Sequence, residues 1–167
     1  MHQSSMDQMK LHVEEYLSAP CKILDVGSAN ISNTGCYRTL LSDGFDYTGL
    51  DLGPGDNVDV VIDDPYTYPF EDNTFDAIMC GQVLEHCKNP FKLLEECTRV
   101  LKPGGVFIGT APFVWEQHRV PIDCWRILPD GWEALFDHTR LHTEQTYLLK
   151  ASGSNDWYEC WGIARKP

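Results

Sequence analysis

The strongest constraint on this chain is a rhythm: short apolar runs, each closing near an acid or a glycine, alternate with segments of helical spacing. Residues 22–26 (KILDV), 46–51 (DYTGLD), 57–62 (NVDVVI), 75–80 (FDAIMC) and 106–112 read as strands, because short apolar runs bounded by turn residues suit buried strands. Between and around them, residues 7–17 bring Met9, Val13, Tyr16 and Leu17 onto one helical face, and Pro20 stops that helix. Residues 36–42 read as a second helix. Residues 90–101 place Phe91, Leu94, Cys97 and Leu101 on one face, with Pro90 in the first turn and KPGG at the stop. A helix is expected over 129–137, then strands over 143–150 and 157–164 joined by the turn SGSN. Alternation of this kind predicts a doubly wound α/β sheet of the Rossmann-like type, seven-stranded and mostly parallel, with helices on both faces. Two strands in succession at the end predict a closing hairpin and an antiparallel last strand.

A chain of 167 residues without internal repeat or linker is expected to form a single domain over 1–167. No apolar run approaches the roughly 18 residues of a membrane span, and the polar start has no signal-peptide core, so the expected location is cytoplasmic. The net charge of −12 and the scattering of the 13 basic residues argue against a nucleic-acid partner. The seven cysteines are odd in number and no two are spaced C-x-x-C. Reduced thiols are expected, with no disulfide framework and no metal site.

Ligands of open parallel sheets bind at the carboxyl ends of the strands. Three features meet there: Asp25-Val26-Gly27-Ser28-Ala29-Asn30 after the first strand, Asp51-Leu52 at the end of the second, and the Asp63-Asp64 pair after the third. Gly27 allows a tight turn. Asp51, about 25 residues after Asp25, stands where an acid accepts from ribose hydroxyls in nucleotide-binding sheets. A carboxylate of the third pair could accept from an exocyclic amine.

The stretches ILDVGSANISNTG, YTGLDLGPGDNVDVV, DDPYTYPFEDNTFDAIMCGQVLEH and EECTRVLKPGGVFIGTAP resemble the class I S-adenosylmethionine-dependent methyltransferases, from about residue 22 to residue 113. The likeness is to the small bacterial branch with VLEH and VLKPGG signatures. It implies S-adenosylmethionine as cofactor: DVGSAN cradling the amino-acid moiety, Asp51 holding the ribose, Asp64 meeting the adenine amine with Asp63 beside it, and Gly81 and Gln82 beside the sulfonium. This chain carries Ala29 and Ile31 where the family has its second and third glycines, with Ser32, Asn33 and Gly35 following. A dinucleotide would need G-x-G-x-x-G after the first strand, which is absent, so a nicotinamide cofactor is disfavoured.

The segment PFVWEQHRVPIDCWRILPDGW is similar to a subset of bacterial methyltransferases associated with glycan or secondary-metabolite chemistry. It reads as a wall over the active site. His118 is the candidate general base, since imidazole titrates near neutrality. Asp123 orients it or binds a substrate hydroxyl, and Arg126 pairs with a carboxylate or an internal acid; an Arg-Asp pair that simply braces the loop is an equal reading. Trp115 and Trp125 stack on the substrate or cover the cofactor, although a tryptophan between Cys124 and Ile127 also suits a core. In Glu85-His86 the histidine could face the substrate or cap the helix near Pro90, and the cap is the favoured reading. The function expected is methyl transfer to an oxygen or nitrogen of a small molecule or glycan, with a homodimer as the compatible assembly. The rival reading is a degenerate protein that binds S-adenosylmethionine and acts by interaction.

Overall fold

A computed structural model describes residues 3–30, 35–154 and 156–167. Its elements, in order, are α1 (Gln3–Tyr16), β1 (Cys21–Val26), β2 (Phe45–Asp51), β3 (Val60–Val61), β4 (Phe75–Gly81), α2 (Pro90–Val100), β5 (Leu101–Val114), α3 (Pro129–Thr139), β6 (His142–Lys150) and β7 (Tyr158–Arg165). The strands form one sheet in the order β3-β2-β1-β4-β5-β7-β6. β1 to β5 pair in parallel, and β7 runs antiparallel between β5 and β6. The expected closing hairpin and antiparallel last strand are therefore present.

Both faces of the sheet are covered. Met6, Met9 and Val13 of α1 pack with Ile23, Met79, Ile108 and Trp161. Leu93, Leu94 and Cys97 of α2, with Trp132 and Phe136 of α3, pack with Leu24, Ile78 and Phe107 on the other. The central strands are buried on both faces, which is why their sequences are unbroken apolar runs. Gly109 and Gly162 leave room for the Trp132 ring, which a Cβ at Gly162 would meet at 2.4 Å. On α2 the buried face is Leu93, Leu94, Cys97 and Val100, while Phe91 is exposed and sits edge-on to His138. All seven cysteines are free and five are buried. No helix among the described residues is long and apolar enough to cross a membrane.

Two expected elements are smaller than their sequence patterns. The helix over 36–42 is a single 3₁₀ turn, Tyr37–Leu40, and the strand over 57–62 pairs only at Val60–Val61. The crossovers from β1 to β2 and from β2 to β3 thus carry no α-helix among the described residues. β3 is the sheet edge, where Val61 is exposed and only one neighbouring strand offers backbone partners.

Candidate functional site

The carboxyl ends of β1, β2 and β4 open into a cavity of about 650 Å³, within the range of small-molecule sites. Its floor is the bend after β1. Gly27 takes φ +76, a conformation costly for other L-residues. The amides of Gly27 and Ser28 both donate to the Leu50 carbonyl, at 2.8 and 3.1 Å, which ties the bend to β2. Asn57 donates through its side chain to the Ser28 carbonyl at 2.9 Å and to the Tyr47 hydroxyl at 2.8 Å.

Two acids face this bend. Asp51 accepts from the Ala29 amide at 2.9 Å and the Leu52 amide at 2.7 Å, one through each oxygen. The carboxylate is thereby held in one rotamer with lone pairs left for a ligand. Asp25 is buried and accepts from the Tyr47 hydroxyl. Burial pushes its carboxyl up to about 7 while the Tyr47 bond opposes the rise. Gly27, Ser28, Ala29, Asn30, Leu52, Gly81 and Gln82, expected from the sequence near the cofactor, also line the cavity. Gln82 follows β4 at φ +59 and donates to Glu159 at 3.1 Å. Ile31, Ser32 and Asn33 lie outside the described residues.

Asp63 and Asp64 do not line the cavity; both are exposed. The Asp64 carboxylate accepts from the Tyr66 amide at 3.0 Å and the Thr67 hydroxyl at 3.0 Å, so it caps its own turn. Ile62, Pro65, Tyr66 and Tyr68 occupy that side of the cavity instead. Because β3 stops at Val61, the two acids are carried beyond the sheet edge.

The far wall comes from His86, His118 and the Val120-Pro121-Ile122 segment. His118 is placed through its backbone: its amide donates to Asp123 at 2.8 Å. The Asp123 side chain is 1% exposed and accepts from Arg126 at 2.6 and 2.9 Å. The Arg126 guanidinium holds the Asp123 carboxyl well below the usual carboxylate range. Arg126 also donates to the Glu116 and Trp125 carbonyls, at 3.0 and 2.7 Å. Asp123 and Arg126 are therefore a brace, and neither lines the cavity. Trp115 stacks near Trp157 with centroids 4.7 Å apart. Trp125 is 43% exposed and donates to the Cys87 carbonyl at 2.8 Å, so it is neither core nor cavity wall.

Glu85 and His86 correct the capping expectation. Asn89 caps α2 by accepting from the Lys92 amide. His86 instead lines the cavity, its Nδ1 bonded to the Ile122 carbonyl at 2.6 Å. Glu85 is fully buried behind it, and burial pushes its carboxyl up to about 8. Tyr37 is a cavity residue that sequence spacing does not announce; its ring lies where a Gly81 Cβ would be, and only glycine there admits it.

Residues 24–109, about half the chain, match the methyltransferase domain family. A ubiquinone biosynthesis O-methyltransferase of Xanthomonas oryzae pv. oryzae is 31% identical over 116 residues, covering 58% of this chain and 47% of that protein. A human thiol S-methyltransferase is 35% identical over 71 residues, 42% of this chain and 26% of that protein. The chain thus spans about half or less of the length of these relatives. Among solved structures, the 1,6-didemethyltoxoflavin-N1-methyltransferase of Burkholderia thailandensis, with 1,6-didemethyltoxoflavin and S-adenosylhomocysteine bound, shares the fold at TM-score 0.78. It is 15% identical, with 98% of this chain and 79% of that one covered. With its strand order, its glycine bend and the matched half of its length in agreement, the chain belongs to the class I S-adenosylmethionine-dependent methyltransferases.

Proposed function

We propose that the chain transfers the methyl group of S-adenosylmethionine to an oxygen or nitrogen of a small molecule that enters from the His118 side of the cavity. The observation that carries this reading is Asp51. It stands at the end of β2, already oriented by two backbone amides and facing the Gly27 bend. Such a carboxylate suits a pair of vicinal ribose hydroxyls. The donor set fits the cofactor in other respects. Ser28 and Tyr37, two lining residues, carry buried hydroxyls with no hydrogen-bond partner among the described residues. Among the described residues, the next helical segment after the bend is the 3₁₀ turn Tyr37–Leu40 and not the N-terminus of an α-helix, the element that suits a pyrophosphate.

S-adenosylmethionine, when bound, supplies a methyl group already activated by its sulfonium leaving group. The protein's work is then to align and to exclude water. Asp25 and Asp51 place acids along the wall where a cationic nucleoside is favoured. Gly81 and Gln82 hold the turn after β4 beside it. His118 has Nε2 turned away from its Nδ1 contact with the Glu116 carbonyl, so that nitrogen is the one free to receive the acceptor's proton.

Calorimetry with S-adenosylhomocysteine tests the reading. Asp51→Ala is expected to weaken binding by about ten- to a hundredfold, the worth of hydrogen bonds to a charged group of about 1.5–3 kcal/mol. His118→Ala is expected to leave that affinity unchanged. Equal affinity of wild type and Asp51→Ala would remove the nucleoside from this cavity.

A further inference from the structure

The group behind the far wall is unusual in its polar balance. Both oxygens of Glu85 lack a hydrogen-bond partner among the described residues, although the side chain is 0% exposed. His86 Nε2 lies 3.6 Å from Glu85 Oε1, and His118 Nε2 lies 3.9 Å from it. Neither distance is a hydrogen bond. Each imidazole directs its Nδ1 at a carbonyl oxygen, His86 at Ile122 and His118 at Glu116, at 2.6 and 3.1 Å. A carbonyl only accepts, so each Nδ1 carries a proton, which leaves Nε2 as the nitrogen able to offer a lone pair. Two ring nitrogens and the Glu85 carboxyl group therefore face one another, with the three candidate ligand atoms within 4.8 Å of one another.

We propose that Glu85, His86 and His118 bind a divalent transition-metal ion whose open coordination positions face the cavity. Ligands held about 2.1 Å from a tetrahedral ion stand roughly 3.4 Å apart, so the two separations from Glu85 Oε1, 3.6 and 3.9 Å, need to close by about half an ångström or less, while the two imidazole nitrogens stand within 4.8 Å of each other. Two imidazoles and one carboxylate suit zinc, iron, cobalt or manganese, and argue against calcium and magnesium, which take oxygen ligands. The two Nδ1–carbonyl bonds are the outer contacts that orient metal-bound histidines. The third ligand is set by the brace already described, because Asp123 holds the His118 amide and Arg126 holds Asp123. The Cys124 amide, bonded to the Glu85 carbonyl at 2.6 Å, ties the same loop to the Glu85 turn.

What the ion does there rests on the methyl-transfer reading; its binding does not. An acceptor hydroxyl that ligates the ion is acidified and loses its proton to water. His118 then serves as a ligand and not as the proton acceptor. The expected acceptor class narrows to small molecules with a hydroxyl that can reach the ion.

Equilibrium dialysis of tag-free protein against Zn²⁺ or Co²⁺, with metal analysis, tests the site. One equivalent is expected to bind, and Glu85→Gln and His118→Ala are each expected to weaken binding roughly tenfold or more. Glu85→Gln keeps the side-chain shape and takes away the carboxylate that the ion would bind, so loss of fold does not confuse the result; circular dichroism verifies it. The Co²⁺ complex is expected to show a ligand-field spectrum that Glu85→Gln abolishes. Absence of saturable binding, or binding unchanged in both variants, overturns the site, the latter pointing to the exposed Cys124. S-adenosylhomocysteine affinity of the metal-free protein, measured alongside, reads the nucleoside site separately.

Discussion

Replacing Arg126 with methionine is expected to cost about 3–5 kcal/mol of unfolding free energy, because it leaves the buried Asp123 carboxylate without its countercharge. The loop is not free to swing out and hydrate that charge. The Cys124 amide is bonded to the Glu85 carbonyl, the Ile127 amide to the Pro112 carbonyl, and the Trp125 indole to the Cys87 carbonyl. The pH dependence fixes the cause. With Arg126 present, Asp123 has its folded pKa depressed. The pair's contribution is then complete above the unfolded value of about 3.9 and is lost only as pH falls below it. In Arg126→Met the lone carboxylate is desolvated and its folded pKa is raised, so the variant gains relative stability as the solution is acidified. Urea unfolding at pH 7 and near pH 4.5 is expected to show a smaller gap between the two proteins at the lower pH. The double variant Asp123→Asn/Arg126→Met is expected to recover part of the loss at pH 7. A single-variant cost below about 1 kcal/mol would show that water reaches Asp123 and that the brace does not hold the wall.

The sheet was legible where burial on both faces leaves an unbroken apolar run. β1, β4 and β7 lie within a residue or two of their expected places. It was less legible at the edge. NVDVVI has the composition of a six-residue strand, yet Asp59 spends its carboxylate on the Gly49 amide and on Arg38, and pairing shrinks to Val60–Val61. That shortening also misplaced a site expectation, because Asp63 and Asp64 end up past the sheet rather than at its carboxyl edge. The glycine bend and Asp51 were legible because both belong to one βαβ-like unit and their spacing is local. On the far wall, residue type left a substrate contact and a structural brace equally open. Arg126 and Trp125 look like substrate contacts in a string, but the guanidinium is saturated by Asp123 and backbone carbonyls, and the indole by Cys87. His86, close before Pro90, looks like a helix cap until Asn89 takes that position. The meeting of Glu85 with His118 belongs to tertiary structure alone, since it depends on how the loop after β5 folds back over the turn after β4.

Gly27→Ala is expected to cost about 2–5 kcal/mol and to remove measurable S-adenosylhomocysteine binding, and two separable causes make up that cost. The first is backbone: φ is +76, where an L-residue pays about 1–2 kcal/mol. The second is packing: an added Cβ would lie 2.2 Å from Val83 Cγ2, so either the valine or the bend must move. Overpacking of this kind costs about 1–3 kcal/mol. Val83 belongs to the turn after β4 and itself lines the cavity, so its displacement shifts Gly81 and Gln82 as well. Adding Val83→Ala to Gly27→Ala removes the overlap and leaves the backbone strain. The double variant is expected to regain the packing part of the stability, and its loss relative to wild type corrected for Val83→Ala alone reports the strain. Chemical denaturation of the four proteins in this cycle measures both parts, because residues in contact are those whose effects fail to add. Calorimetry on the same four separates shape from strain in the ligand site. If Gly27→Ala binds S-adenosylhomocysteine within twofold of wild type, the bend after β1 does not form the floor of the nucleoside pocket.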